Sequence, residues 1–200
     1  MPSLSGRPLG DRWATVKLFV GLGNPGPAYH NTRHNVGFEV LETLARRAGS
    51  PGRRQRFQGE VAQATVRGTP VLLLWPLTWM NLSGSSVLAT RDFYKIPDSD
   101  MIVVCDDFNL PLDTIRLRPA GSAGGQNGLA DVLSRLGTPT IPRLRLGVGP
   151  LPAGWKTADY VLGKFSRQDR ERVEVMVERA ADAAEEWAAL GIQAAMNKYN

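Results

Sequence analysis

The side chains able to do acid–base or metal chemistry are few in this 200-residue chain. It carries two histidines, His30 and His34, and one cysteine, Cys105. The usual three or four His or Cys ligands of a zinc site cannot be assembled from this set. Cys105 ends an apolar run, so we interpret it as a core residue. A magnesium ion held by Asp106 and Asp107 remains an alternative, because this ion prefers oxygen ligands.

His34 and Asp106 form the candidate catalytic pair. His34 lies in a polar segment after one predicted strand, and Asp106 comes directly after another. In an open α/β sheet, ligands bind at the carboxyl ends of the strands, so we expect the two side chains to meet there. A carboxylate that accepts from one ring nitrogen fixes the histidine tautomer and leaves the other nitrogen as a base. We therefore predict that His34 activates water as a general base.

Three asparagines complete the predicted site. Asn24 and Asn81 each follow a predicted strand, and Asn127 lies in a glycine-rich loop. An amide side chain donates and accepts hydrogen bonds without titrating, which suits it to hold a carbonyl group and a water molecule. We predict that all three join His34 at one hydrolytic site.

The glycines of Gly21–Gly26 fit the G-x-G-x-x-G pattern of dinucleotide-binding loops. In that fold the third glycine lies in the first turn of a helix, whereas residues 27–32 lack a helical apolar pattern. The acids at the distance expected for ribose binding, Glu39 and Glu42, fall inside a predicted helix. We therefore disfavour a dinucleotide site, and we expect these glycines to turn the backbone so that Asn24 projects from the strand end.

Short apolar strands alternate with amphipathic helices along the chain. Strands are predicted over 16–20, 61–66, 71–75, 101–105, 115–117 and 144–148, and helices from 35, over 83–94, over 129–136 and near the C-terminus. This alternation indicates an α/β fold whose twisted, mostly parallel mixed sheet is sandwiched by helices, with a hairpin adding antiparallel pairing. No linker divides the chain. We predict a single domain over 16–200 and a disordered N-terminal extension over 1–15.

The composition indicates the kind of partner and the cellular compartment to expect. A net charge of +5 favours anionic partners. Arginines cluster between residues 46 and 56 and again between 116 and 145, and either a polyanion or a solvated face explains them. No apolar run approaches the roughly 18 residues of a membrane span, and residues 1–15 lack the apolar core of a signal peptide. A lone cysteine fits a reducing compartment, so we expect a cytoplasmic protein without membrane contact.

Five segments resemble, in order, the signature blocks of the bacterial-type peptidyl-tRNA hydrolases: VGLGNPGPAYHNTRHNVGFEVL, LTWMNLSGSSV, VVCDDFNLPLDTIRLR, GSAGGQNGL and RLRLGVGP. The resemblance runs from about Lys17 to the C-terminus. It implies a single α/β domain that is usually monomeric and needs no metal or cofactor. The implied activity is hydrolysis of the ester between a peptide and the 3′ ribose of tRNA, which recycles tRNA from prematurely released peptidyl-tRNA.

The resemblance also implies roles for single residues. His34 matches the family's proton acceptor, Asp106 the aspartate that keeps it basic, and Asn24 the residue that discriminates N-blocked from free aminoacyl-tRNA. The residues matching those that contact the 3′ end of the substrate are Tyr29, Trp79, Asn81 and Asn127. The residues matching basic positions that face the tRNA acceptor stem are Arg116 and Arg118.

Two positions depart from the family pattern. Gln126 stands where many relatives carry a histidine, and we expect altered substrate positioning there rather than lost activity. Trp79 replaces a smaller aromatic residue, which would widen the stacking platform under the terminal adenine. An RNA-binding protein without hydrolysis is the alternative function, because plant relatives of this family serve as organellar RNA-splicing partners. The intact His34 and Asp106 favour the enzyme.

Overall fold

A seven-stranded mixed sheet lies at the centre of the structure, a computed structural model that describes residues 16–200. The strands are β1 (Lys17–Gly21), β2 (Arg53–Arg56), β3 (Gly59–Val66), β4 (Thr69–Pro76), β5 (Met101–Pro111), β6 (Ile115–Arg118) and β7 (Arg143–Gly149). Their order across the sheet is β2-β3-β4-β1-β5-β7-β6. The neighbouring strands β4, β1, β5 and β7 are parallel, whereas β2, β3 and β6 pair antiparallel with their neighbours. The predicted extension over residues 1–15 lies outside the described residues.

Helices cover both faces of this sheet. They are α1 (Val36–Arg47), α2 (Ser83–Tyr94), α3 (Asn127–Leu136), α4 (Thr157–Val161) and α5 (Arg167–Tyr199). Phe19 of β1 packs edge-on against Trp187 of α5, with ring centroids 5.2 Å apart. Val20 belongs instead to the apolar cluster that contains Val87 of α2 and Leu129 of α3. Because successive strand residues point to opposite faces, the apolar residues Leu18–Val20 of β1 are buried between two helical layers. The predicted α/β fold is confirmed.

The predicted elements are present, and the structure adds two more. The predicted hairpin is β3 and β4, and β2 extends it as an edge strand. All four residues of β2 are exposed and polar, so no apolar alternation marks this strand in the sequence. Helix α4 has only five residues, too few to show a helical period. Within residues 16–200, no helix has the length and apolar character needed to cross a membrane.

Gly37 lets the start of α1 approach the sheet closely. A Cβ atom added at Gly37 would lie 2.4 Å from the carbonyl oxygen of Val104 and 2.6 Å from that of Leu22. Both separations are far shorter than a van der Waals contact of about 3.5 Å. The missing side chain therefore brings the helical turn Arg33–Asn35, which precedes α1 and carries His34, against β1 and β5.

The glycines after β1 serve two purposes. Gly26 has a φ of 100°, and no atom lies within 4 Å of a Cβ atom added there. A glycine is therefore needed at this position for its left-handed backbone rather than for packing, as predicted. A Cβ atom at Gly23 would lie 2.7 Å from the ring of Phe38, so this position is needed for packing rather than for a turn. A single helical turn, Pro27–Tyr29, follows Gly26 in place of the long helix that a dinucleotide loop requires.

Acidic residues of α5 neutralise part of the first arginine cluster. Arg47 contacts Glu178, Asp182 and Glu185 at 2.5, 2.7 and 3.0 Å. Arg46 contacts Glu178 at 2.5 Å. The hydrogen bond from Arg47 lowers the pKa of Glu178 below its usual value. These two arginines therefore pair within the molecule, which removes them from the surface available to a polyanion.

Candidate active site

One cleft of about 590 Å³ opens beside the carboxyl ends of β1 and β4. It brings together every predicted site residue except the two arginines. The predicted residues that line it are Asn24, Tyr29, His34, Trp79, Asn81, Asp106 and Asn127. Arg116 and Arg118 lie instead on β6, at the edge of the sheet.

His34 and Asp106 are in direct contact, as the sequence predicts. Nδ1 of His34 lies 2.8 Å from Oδ1 of Asp106, and the two residues are only 8% and 1% exposed. An ionised carboxylate can only accept a hydrogen bond, so Nδ1 carries the proton and Nε2 is left unprotonated. Within residues 16–200, Nε2 has no hydrogen-bond partner. The pair therefore presents a base to a water molecule in the cleft.

The amide of Asn24 has one defined orientation. Its Oδ1 accepts a hydrogen bond from the backbone N–H of Met80 at 2.9 Å. Because a backbone N–H can only donate, the opposite end of the amide must be Nδ2, which bonds to no described residue. The side chain of Asn35 also bonds the backbone N–H and carbonyl of Asn24, at 2.9 and 3.0 Å. Asn24 therefore offers N–H donors to the cleft from a rigid backbone.

Gln126 is a site residue whose role the sequence does not reveal. Its Nε2 donates to Oδ1 of Asp106 at 3.0 Å, and its Oε1 accepts from the backbone N–H of Leu129 at 2.6 Å. The latter bond makes Gln126 the N-cap of α3. The other oxygen of Asp106, Oδ2, is buried without a partner among the described residues. His34 and Gln126 thus share a single oxygen of the carboxylate.

Exposed aromatic and amide groups form the mouth of the cleft. Trp79 is 55% exposed and meets Tyr29 edge-on, with ring centroids 5.9 Å apart. Asn81 and Asn127 are exposed, and their side chains bond to no residue within 16–200. A flat indole face and unsatisfied amides can bind a nucleobase and its polar edge.

Helix α4 and the residue after it form the opposite wall. Arg33, next to His34, holds this wall in place through Nη1, which donates to the carbonyl oxygens of Tyr160 and Lys164 at 3.3 and 3.1 Å. The Arg33 guanidinium also lies over the Tyr160 ring, 4.3 Å from its centroid. Neither contact is detectable in the sequence, because α4 follows Arg33 by more than a hundred residues.

The second basic region forms one face of the β6–β7 pair. Arg116 lies opposite Arg145, and Arg118 lies opposite Arg143. Like charges directly opposite each other are destabilising, and among residues 16–200 only Asp107, 3.0 Å from Arg145, offsets them. Burial lowers the pKa of Arg143, whose guanidinium donates to backbone carbonyls. Arg116 is exposed and has no acidic partner among residues 16–200, so this face can receive an anion.

The geometry does not support the alternative magnesium site. Asp106 and Asp107 are consecutive on β5 and point to opposite faces of the sheet, toward His34 and Arg145 respectively. Among residues 16–200, no group of three or more His, Cys, Asp or Glu side chains is placed to hold a metal ion. Cys105 is buried as predicted, and burial raises the pKa of its thiol, which keeps it protonated.

Comparisons with known proteins identify the family of this chain. The family model described as peptidyl-tRNA hydrolase matches residues 18–200. The chain is 47% identical over 186 residues to the peptidyl-tRNA hydrolase of Rhodopirellula baltica, covering 92% of this chain and 97% of that protein. It is 44% identical over 185 residues to that of Bacillus cereus, covering 92% and 100%. The crystal structure of peptidyl-tRNA hydrolase from Acinetobacter baumannii superposes with a TM-score of 0.87 at 33% identity, over 92% of this chain and 94% of that one. The chain belongs to the peptidyl-tRNA hydrolase family.

Proposed function

We propose that this protein hydrolyses the ester between a peptide and the 3′ ribose of tRNA, and so recycles tRNA from prematurely released peptidyl-tRNA. The observation that carries the proposal is the buried contact of 2.8 Å between His34 and Asp106, in a cleft lined by three asparagines. Family membership supports the same substrate.

His34 acts as the general base in the proposed mechanism. Its Nε2 takes a proton from water as the water oxygen attacks the ester carbonyl carbon. Asp106 stabilises the imidazolium that forms, and the amide donors in the cleft stabilise the developing negative charge on the carbonyl oxygen. The imidazolium then returns the proton to the ribose oxygen as the ester C–O bond breaks. The products are a peptide carboxylic acid, which ionises, and tRNA with a free ribose hydroxyl.

No metal ion takes part in this proposed mechanism. The ester is an activated acyl group, so a positioned water, a base and hydrogen-bond donors provide the required chemistry. Asn24 supplies selectivity in this scheme. Its unpaired N–H donors suit the carbonyl oxygen of a peptide group, whereas the ammonium group of a free aminoacyl-tRNA is itself a donor. The mispaired donors disfavour the unblocked substrate.

The tRNA binds, in this proposal, at the mouth of the cleft and along the β6–β7 face. Trp79 stacks on the terminal adenine beside Tyr29, while Asn81 and Asn127 bond the 3′ end. Arg116 and Arg118 contact phosphates of the acceptor stem, which supplies affinity with little sequence preference. We further propose that residues 16–200 form a single domain that acts as a monomer in the cytoplasm. One continuous sheet supports the single domain, and the family resemblance supports the monomer.

The test is release of the peptide from an N-acylated aminoacyl-tRNA in the presence of EDTA, beside the same tRNA with a free amino group. We expect rapid release only from the blocked substrate, with no effect of EDTA. Loss of activity in EDTA would overturn the metal-free mechanism. Binding of tRNA without hydrolysis would favour the RNA-binding alternative, and light scattering of the same sample tests the monomer.

A further inference from the structure

The amide of Gln126 is fully engaged inside the protein. Gln126 is only 3% exposed, although it lines the cleft. Its Oε1 accepts from the N–H of Leu129 at 2.6 Å, and its Nε2 contacts Asp106 Oδ1 at 3.0 Å and the sulfur of Met80 at 3.2 Å. Both ends of the amide are therefore occupied before any substrate binds.

The N-cap bond determines which end of the amide faces Asp106. The Leu129 N–H can only donate, so Oε1 must face it and the N–H group must face the carboxylate. This donor cannot lose its proton in the working pH range, unlike the imidazole that shares the same oxygen. Since Oδ2 of Asp106 is buried without a partner, Gln126 supplies the only non-titrating donor to this carboxylate among the described residues.

We propose that Gln126 is a positioning residue for the catalytic pair: it holds Oδ1 of Asp106 in place and weakens the attraction of that oxygen for the proton on His34. The inference rests on the proposed function, in which His34 works as a base. It differs from our expectation that this position orients the substrate. Gln126 acts through Asp106 and keeps His34 unprotonated to lower pH.

The sign of the effect follows from electrostatics. The positive end of the Gln126 N–H dipole points at the oxygen that His34 Nδ1 also contacts, so it disfavours a positive charge on the imidazole. Without the Gln126 donor, Oδ1 of Asp106 accepts a hydrogen bond from His34 alone, and His34 is therefore protonated more easily. Removing the charge of Asp106 has the opposite effect, because the carboxylate stabilises the imidazolium.

Few other charged groups face this pair. Of the described side chains that line the cleft, only Tyr29, His34 and Asp106 can titrate. The Arg33 guanidinium is directed at the carbonyl groups of the α4 segment. On the other face of β5, Asp107 and Arg145 form their own pair at 3.0 Å. A change in the protonation of His34 in a Gln126 variant can therefore be attributed to Asp106 and Gln126.

The test is an NMR titration of the free protein, which has two histidines to resolve. Gln126→Met fills the same space without a donor, and we expect the titration midpoint of His34 to rise by about 0.5–1 pH unit. Asp106→Asn should lower it by about 1 unit or more. The acidic limb of the pH profile of kcat/KM should move with the midpoint in Gln126→Met. His30 is exposed and serves as the internal reference.

A second variant separates the effect from loss of the helix cap. Gln126→Ser keeps an oxygen for the Leu129 N–H but is too short to reach Asp106, so it should also raise the midpoint. An unchanged or lowered midpoint in both variants, with the Asp106→Asn shift present, would overturn the role of Gln126 and leave the proposed mechanism intact. No shift in Asp106→Asn would overturn the catalytic pair itself, and the proposal with it.

Discussion

At the scale of single residues, hydrogen bonds fix the orientation of several polar groups of the cleft. Asp106 is buried and accepts from both His34 and Gln126, so the proton of the imidazole is confined to Nδ1. The Met80 N–H confines Asn24 to one amide orientation. In the proposed mechanism, such a site needs little reorganisation when water attacks, and fixed dipoles lower a barrier in this way.

Replacing the base should separate chemistry from binding. In His34→Ala, we expect the hydrolysis rate to fall by a factor of about 10² to 10⁴, the range that a general base supplies. The affinity for tRNA should persist, because Arg116, Arg118 and Trp79 are untouched. Single-turnover rates and a filter-binding assay measure the two quantities. A rate close to that of the wild type would exclude His34 as the base.

Asn24→Asp is a sharper test of selectivity than truncation to alanine. Aspartate keeps an oxygen for the Met80 N–H but replaces the N–H donors with a second oxygen. Activity on N-blocked substrate should fall, and activity on free aminoacyl-tRNA should fall less, because the carboxylate attracts the ammonium group. We expect the ratio of the two initial rates to narrow about 10- to 100-fold, corresponding to about 1–3 kcal/mol. Equal losses on both substrates would mean that Asn24 holds the loop and that selectivity lies elsewhere.

At the scale of secondary structure, the close approach of α1 to the sheet determines where His34 lies. Gly37→Ala would place its Cβ atom 2.4 Å from the Val104 carbonyl oxygen, against rigid backbone. We expect this substitution to lower the free energy of unfolding by about 1–3 kcal/mol, as overpacking does. Gly52→Ala is the matched control, because no atom lies within 4 Å of its Cβ position. Urea unfolding compares them, and equal stability would contradict the close packing of α1.

The β6 edge strand gives a second prediction at this scale. Arg116→Ala and Arg118→Ala should raise KM for full-length peptidyl-tRNA. The plot of log KM against log salt concentration should also become less steep, by about 0.7–0.9 for each phosphate that the variant no longer binds. A short substrate without the acceptor stem should be hydrolysed as by the wild type. If that substrate is affected equally, the arginines support the fold rather than the tRNA.

The sequence predicted those features that a single residue type or a short repeat of apolar residues marks. The apolar run of β1 and the polar residues after it predicted both a buried strand and a site at its end. The exposed β2 and the five-residue α4 carry no such period. The hydrogen bond from Gln126 to Asp106 also has no local signature, because it joins residues 20 positions apart that meet only in the folded chain.

At the scale of the whole molecule, the two groups of arginines differ in how fully acidic residues pair with them. Acidic residues of α5 pair with arginines of α1, whereas the arginines of β6 and β7 have only Asp107 as an acidic neighbour among the described residues. In the proposed function, the arginines of the β6–β7 face attract the anionic substrate to that side of the cleft.

The pairing of α1 with α5 should make stability depend on acidic pH. Arg47 lowers the pKa of Glu178 below its usual 4.5, so the pair stabilises the folded state fully above about pH 4.5. This contribution is lost as the pH falls through the lowered value, because the folded protein must then protonate Glu178. Glu178→Gln should therefore lower the free energy of unfolding by about 0.5–1 kcal/mol at pH 7, a small effect because the pair is half exposed. The difference from the wild type, measured by urea unfolding, should shrink as the pH falls below 4.5. Glu171→Gln is the control for the substitution itself, because Glu171 lies on the same helix and has no ion pair among residues 16–200. An equal and pH-independent loss of unfolding free energy in both variants would contradict the stabilising effect of the Arg47–Glu178 pair.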